Sequence, residues 1–210
     1  MRRVVGLACL ALVLTLPMAA WADVIVVNQA GSVTASNAGI STIGSELKTW
    51  DSFNATPNHS LGTVSFSTGG LISGSLWTGG TFSSVGSMFD VYGVGLWAKN
   101  LTGCMPCVNP IALFTGSFTG PITWTVISHV KNNWEWTLSG AIAGMLYDGR
   151  SVTGMTTQTI YSSTAGWTAG IGHIHMGNTN ITVPEPGTLG LLGTGLVGIA
   201  GMFRRKLVKS

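Results

Sequence analysis

Alternation with a period of two marks the middle of this chain. Ile122-Thr123-Trp124-Thr125-Val126 and Trp134-Glu135-Trp136-Thr137-Leu138 set apolar and polar side chains on opposite faces. That is the pattern of strands with one face in a core and one in water. Strand signals also cover Val24–Val27, Thr63–Ser67, Leu71–Trp77, Thr81–Phe82, Met88–Tyr92, Ile111–Phe118, Ile122–Val130, Trp134–Leu146, Val152–Tyr161 and Gly170–Met176. Gly69-Gly70 and Gly79-Gly80 punctuate the early strands, and Gly93 and Gly95 lead into Leu96-Trp97-Ala98. Gly120-Pro121 and Lys131-Asn132-Asn133 read as hairpin connections and Asp148-Gly149 as a turn. Asn28–Gly44 reads as a polar, small-residue stretch, Ser45–Asp51 as one helical turn, and Thr56-Pro57-Asn58 as a turn.

A loose echo, Ser/Thr-Gly-x-apolar, recurs at Ser73-Gly74, Thr115-Gly116, Ser139-Gly140 and, less completely, Thr153-Gly154. Glycine inside a strand marks a bulge or close packing under an aromatic ring. The spacing is too irregular for a solenoid, and serial short strands with glycine-rich turns point to a sandwich or a closed barrel.

Composition strengthens the β reading. Only 8% of the 210 residues are charged, so strong helix formers such as Glu, Lys and Arg are scarce while Thr, Val, Ile and aromatics favour strands. The formal charge of +3 is misleading, because Arg2, Arg3, Arg204, Arg205, Lys206 and Lys209 sit near the two ends. Residues 23–183 keep four basic against six acidic side chains, a net −2. A nucleic-acid partner needs a basic face, which this stretch lacks.

The ends have a different character. Arg2-Arg3, an apolar Val4–Met18 and Ala20-Trp21-Ala22 form a secretory signal pattern that places cleavage between Ala22 and Asp23. Near the other end, Val183-Pro184-Glu185-Pro186-Gly187 precedes an apolar run to Phe203 and then Arg204-Arg205-Lys206. Leu189–Phe203 spans about 22 Å as a helix, short of a hydrocarbon core of about 30 Å. With Gly187 and Thr188 included and the basic residues snorkelling, it reaches across. Those basic residues stay cytoplasmic and leave residues 23–183 outside.

This three-part end resembles the PEP-CTERM sorting domain. The resemblance implies that Pro184, Glu185 and Pro186 are the recognition motif, Arg204, Arg205 and Lys206 the basic stop, and an exosortase the processing enzyme. Exosortases are membrane-embedded, cysteine transpeptidase-like enzymes of Gram-negative bacteria that also make exopolysaccharide. A Gram-positive sortase signal would carry an LPxTG-like motif instead, and a eukaryotic lipid-anchor signal would end apolar.

Three constellations in the body carry candidate chemistry. Cys104-Met105-Pro106-Cys107 has the only cysteines left after signal removal. A redox pair belongs at a helix N-terminus, which Val108-Asn109-Pro110 disfavours, and a four-cysteine zinc site needs a second pair. In an exported chain the expectation is a small disulfide loop. His173-Ile174-His175 puts two imidazoles on one strand face, with no third metal ligand visible nearby. Trp50, Trp77, Trp97, Trp124, Trp134, Trp136 and Trp167 are read chiefly as packing residues, with sugar stacking as the other use.

Together these features predict an all-β chain. Residues 1–22 are the signal peptide, 23–183 a single antiparallel β-sandwich or barrel-like domain, and 184–210 the sorting signal. An N-terminal signal helix and a C-terminal transmembrane helix flank the β domain. The expected protein is not an enzyme and takes no cofactor. It is an exported structural or adhesive component of a Gram-negative envelope or matrix, inner-membrane-anchored as a precursor. Its partners are signal peptidase and exosortase during export, the membrane at least transiently, and exopolysaccharide as a candidate. The alternative is a carbohydrate-binding module using exposed tryptophans.

Overall fold

The computed structural model describes residues 23–105, 107–130, 133–162 and 171–183. In chain order the elements are β1 Val24–Gln29, β2 Ser32–Ser36, β3 Gly39–Trp50, β4 Phe53–Asn54, β5 Gly62–Ser67, β6 Leu71–Ser75, β7 Gly79–Phe82 and β8 Met88–Gly93. These are followed by helix α1 Leu96–Thr102, then β9 Ile111–Phe118, β10 Ile122–Val130, β11 Asn133–Leu146, β12 Ser151–Ser162 and β13 Ile171–Thr182. The signal and transmembrane helices expected at residues 1–22 and 184–210 lie outside the described residues. No helix among the described residues is long and apolar enough to cross a membrane.

Eight strands close into an antiparallel barrel in the order β1-β3-β5-β8-β9-β11-β12-β13 and back to β1. Of the sandwich and barrel alternatives, the fold is therefore the barrel. The remaining strands extend it. β2 continues β1 along the same neighbours, β3 and β13, after a break at Ala30 and Gly31. Gly31 has φ +84, and a Cβ there would lie 2.5 Å from the Ser45 nitrogen, so this break requires glycine. β10 likewise continues β9 along β11, β7 and β6 add outside β10, and β4 pairs the end of β3.

Two expectations are corrected by this topology, and two stretches read without an element receive one. Gly120-Pro121 does not connect a hairpin: β9 and β10 pair successive lengths of the same edge of β11, so the dipeptide is a break in one long stave. The polar, small-residue stretch Asn28–Gly44 carries the end of β1, then β2 and the start of β3. Ser45–Asp51 is the second half of β3, not a helical turn. Ile40 and Thr42 face inward, then the register shifts between Thr42 and Ser45, and Ser45 and Leu47 face inward. That bulge at Gly44 breaks the alternation and hides the strand. Glu46 and Lys48 share the outer face as an ion pair at 2.6 Å. Finally, Leu96-Trp97-Ala98 opens α1, which Gly103 ends in the left-handed conformation. Its Ala98 packs over Gly93, and Trp97 Nε1 donates to Leu61 O at 3.0 Å.

The interior divides into two regions. One is aromatic: Phe66, Phe89, Phe114 and Phe118 pack with ring centroids 6.0–6.4 Å apart. Gly116, Gly140 and Gly144 make room for them, since a Cβ at any of the three would crowd the Phe114 or Phe118 ring. The other region is polar and fully buried. Asn28 Nδ2 donates to Ser45 Oγ at 2.7 Å and to Gln158 Oε1 at 2.9 Å, and Gln158 Nε2 returns a bond to Asn28 Oδ1 at 3.3 Å. Gln158 Nε2 also donates to Thr156 Oγ1, whose hydroxyl pairs with that of Thr179 at 2.7 Å. Mutually satisfied amides and hydroxyls avoid the penalty of burying lone polar groups. The outward faces of β10 and β12 carry Thr123, Thr125, Thr153, Thr157 and Thr159.

Gly177 tests this interior most sharply. A Cβ at Gly177 would meet Gln158 Oε1 and Asn28 Oδ1, forcing the amide pair apart. Gly177→Ala is therefore expected to lower unfolding stability by about 2–3 kcal/mol in a urea titration. Gly120→Ala, which points into open space, is expected to change it by less than about 0.5 kcal/mol.

Candidate functional site

The predicted residues fall in separate places. Pro184, Glu185, Pro186, Arg204, Arg205, Lys206, Ala22 and Trp167 lie outside the described residues. Asp23 is exposed, one residue before β1, and its Oδ2 accepts a bond from Asn180 Nδ2 at 3.5 Å. Cys104 and Cys107 are joined by a disulfide in the segment after α1, with Cα atoms 5.4 Å apart. His173 and His175 are exposed on β13, flanking Tyr161 of β12 with ring centroids 6.3 and 4.7 Å away. The Tyr161 hydroxyl titrates above its ordinary value, through local desolvation and then through its hydrogen bond with Glu135 and that carboxylate's charge. Ser128 Oγ also donates to Glu135, at 3.1 Å. Among the described residues, no three His, Cys, Asp or Glu side chains gather closely enough to share a metal ion.

Three of the described tryptophans form a ladder. Trp124 of β10 stacks on Trp136 of β11 at 5.6 Å and 10°, Trp136 on Trp134 at 5.4 Å and 12°, and Trp134 on His129 at 3.6 Å and 17°. Alternation sets these residues on one face of the β10–β11 pair. Trp136 and Trp124 are fully buried, and Trp124 Nε1 donates to Leu76 O at 3.0 Å. Trp134 is half-buried and His129 exposed, so the ladder runs from the core to the surface. Trp77 meets Trp134 edge-on at 5.8 Å and is 40% exposed. Trp50 is buried, and Trp97 packs against Phe53 at 5.5 Å. The sequence shows that Trp134 and Trp136 share a face; the bulge between Val126 and Ser128, which brings His129 onto that face, has no sequence signal.

For carbohydrate, this geometry is restrictive. A sugar stacks on an open ring face, and the Trp134 ring already stacks on His129 and on Trp136. Among the described tryptophans, Trp77 alone combines such exposure with a position at the ladder.

The decisive comparison concerns the other end of the chain. Residues 182–206 match the model of the PEP-CTERM protein-sorting motif. The chain carries a PEP-CTERM sorting motif. The match takes in the Pro-Glu-Pro triplet, the apolar run and the Arg-Arg-Lys cluster. Its first residue, Thr182, is the last of β13, so the PEP-CTERM segment begins where the barrel wall stops. No curated protein and no solved structure matches the chain significantly. The body thus belongs to no assigned family, and function follows from the motif: the protein is an exported exosortase substrate whose precursor is held in the membrane.

Trp136→Ala is expected to cost about 4 kcal/mol of unfolding stability, because it empties the buried centre of the ladder. Trp77→Ala is expected to cost less than about 1 kcal/mol. Chemical denaturation of the two variants checks the contrast.

Proposed function

We propose that the mature barrel is a non-enzymatic structural or adhesive component of the surface or exopolysaccharide matrix of a Gram-negative bacterium. The PEP-CTERM motif at residues 182–206 carries the reading. It routes the chain through an exosortase, with Pro184, Glu185 and Pro186 as the recognised triplet and Arg204, Arg205 and Lys206 as the cytoplasmic stop. The expected signal cleavage before Asp23 removes the other end.

Two features of the body support the reading. The interior is filled by the phenylalanine cluster, the tryptophan ladder and the buried amide pair. The exterior offers rows of threonine hydroxyls with sparse charge, a surface suited to many weak hydrogen bonds with a neutral hydrated polymer.

The test separates sorting from adhesion. In the native host, Glu185→Ala is expected to leave uncut precursor in the membrane fraction and to remove the barrel from the matrix, as read by immunoblot. Gene deletion and Glu185→Ala should then weaken cell aggregates alike. Unchanged processing of Glu185→Ala overturns the recognition role, and unchanged aggregation and matrix composition on deletion overturn the structural role.

A further inference from the structure

The outer face of β13 carries a feature that sorting does not explain. In a regular strand, His173 and His175 would face outward while Met176 turned in. The pairing of β12 with β13 shifts register after Thr159, which opposes Met176, while Ile160 opposes Ile174. His175 is the extra residue of that bulge. The burial pattern follows: Ile174 and Gly177 are buried, whereas His173, His175 and Met176 are all exposed. One irregularity thus collects two imidazoles and a thioether on one solvent-facing patch, within four consecutive residues.

The surroundings favour a ligand role over a packing role. Tyr161 of the neighbouring strand lies beside both imidazoles, edge-on to His175 at 4.7 Å and tilted at 6.3 Å from His173, which places the two rings around one point of the surface. Met176 is 47% exposed, although burying a thioether side chain is favourable. Bulges commonly re-aim side chains next to functional sites.

We propose that His173, His175 and Met176 form a binding site for a single monovalent copper ion. The donor set selects the metal. Thioether sulfur is a soft ligand that favours Cu(I), and imidazole binds copper readily. Zinc sites are built from thiolate, imidazole and carboxylate, and among the described residues no third such ligand joins the two histidines. Only binding is assigned, with no change in oxidation state. The site is independent of the proposed matrix role: its ligands lie exposed on β13, before the sorting triplet, whereas Trp124 and Trp136 of the ladder are buried in the interior.

The test uses the full-length chain, free of any affinity tag, in detergent, with the Cys104–Cys107 disulfide intact. Anaerobic competition for Cu(I) against a chromophoric chelator reads affinity and stoichiometry. One Cu(I) per chain is expected. His175→Ala should abolish retention, and Met176→Leu should weaken it by at least about tenfold, the loss that even an outer-shell partner causes. Cys104→Ser with Cys107→Ser should leave it unchanged, and Zn(II) should bind more weakly than Cu(I). All three ligands are exposed, so far-UV circular dichroism should show every variant folded. Equal retention by the wild type and a His173→Ala/His175→Ala/Met176→Leu variant overturns the site. Retention insensitive to Met176→Leu, or preference for Zn(II), overturns its assignment to monovalent copper.

Discussion

One buried amide pair ties the first strand of the barrel to the last but one. Asn28 and Gln158 exchange hydrogen bonds across 130 residues of sequence, and Ser45, Thr156 and Thr179 complete the cluster. These residues lie on β1, β3, β12 and β13, the strands that close the barrel. Removing Asn28 would take from the buried Gln158 Oε1 the bond that Asn28 Nδ2 donates to it, so the network favours one register of closure over its neighbours. The main wall pairs its first strand with its last, so closure depends on long-range contacts, and folding is expected to be slow for the chain's length. The reward is that the main ring has no open sheet edge to offer a second chain.

The seam also explains how the rest of the interior is arranged. Polar groups occupy the closing strands, leaving β5, β8 and β9 to supply the phenylalanine cluster. Those rings fit only because inward positions on β9 and β11 are glycine. Where β10 takes over from β9 along β11, tryptophans replace phenylalanines and the ladder begins. Strand continuation, through β1 into β2 and β9 into β10, lengthens the barrel without adding staves.

Alternation and glycine-rich turns made the late strands readable, and β9 to β12 fall close to where the pattern put them. The early region was opaque for a specific reason. The bulge at Gly44 switches the inward residues of β3 from Ile40 and Thr42 to Ser45 and Leu47, and Glu46 and Lys48 add local helix preference that strand pairing overrides. Gly120-Pro121 has the chemistry of a turn, and only the pairing partners reveal an interrupted stave. The sorting motif was fully legible because it is a linear address read in sequence order. The surface of β13 was legible only in part: the histidine spacing is visible, but Met176 joins it through a bulge that no local pattern marks.

Fold and destination meet where β1 and β13 pair. Val24 opposes Ile181, so the body's first and last strands leave the barrel side by side, and Val183 is still buried. Cuts between Ala22 and Asp23 and beyond Val183 would leave the seam whole, whereas a cut inside β13 would unzip it. The most direct measurement is intact-mass and terminal-peptide spectrometry of the protein from separated membrane, surface and medium fractions. The account predicts a surface or matrix species that begins at Asp23, retains Val183 and has lost the apolar run up to Phe203. A folded mature species truncated within β13, or one confined to the membrane with its Arg204-Arg205-Lys206 tail intact, would contradict it.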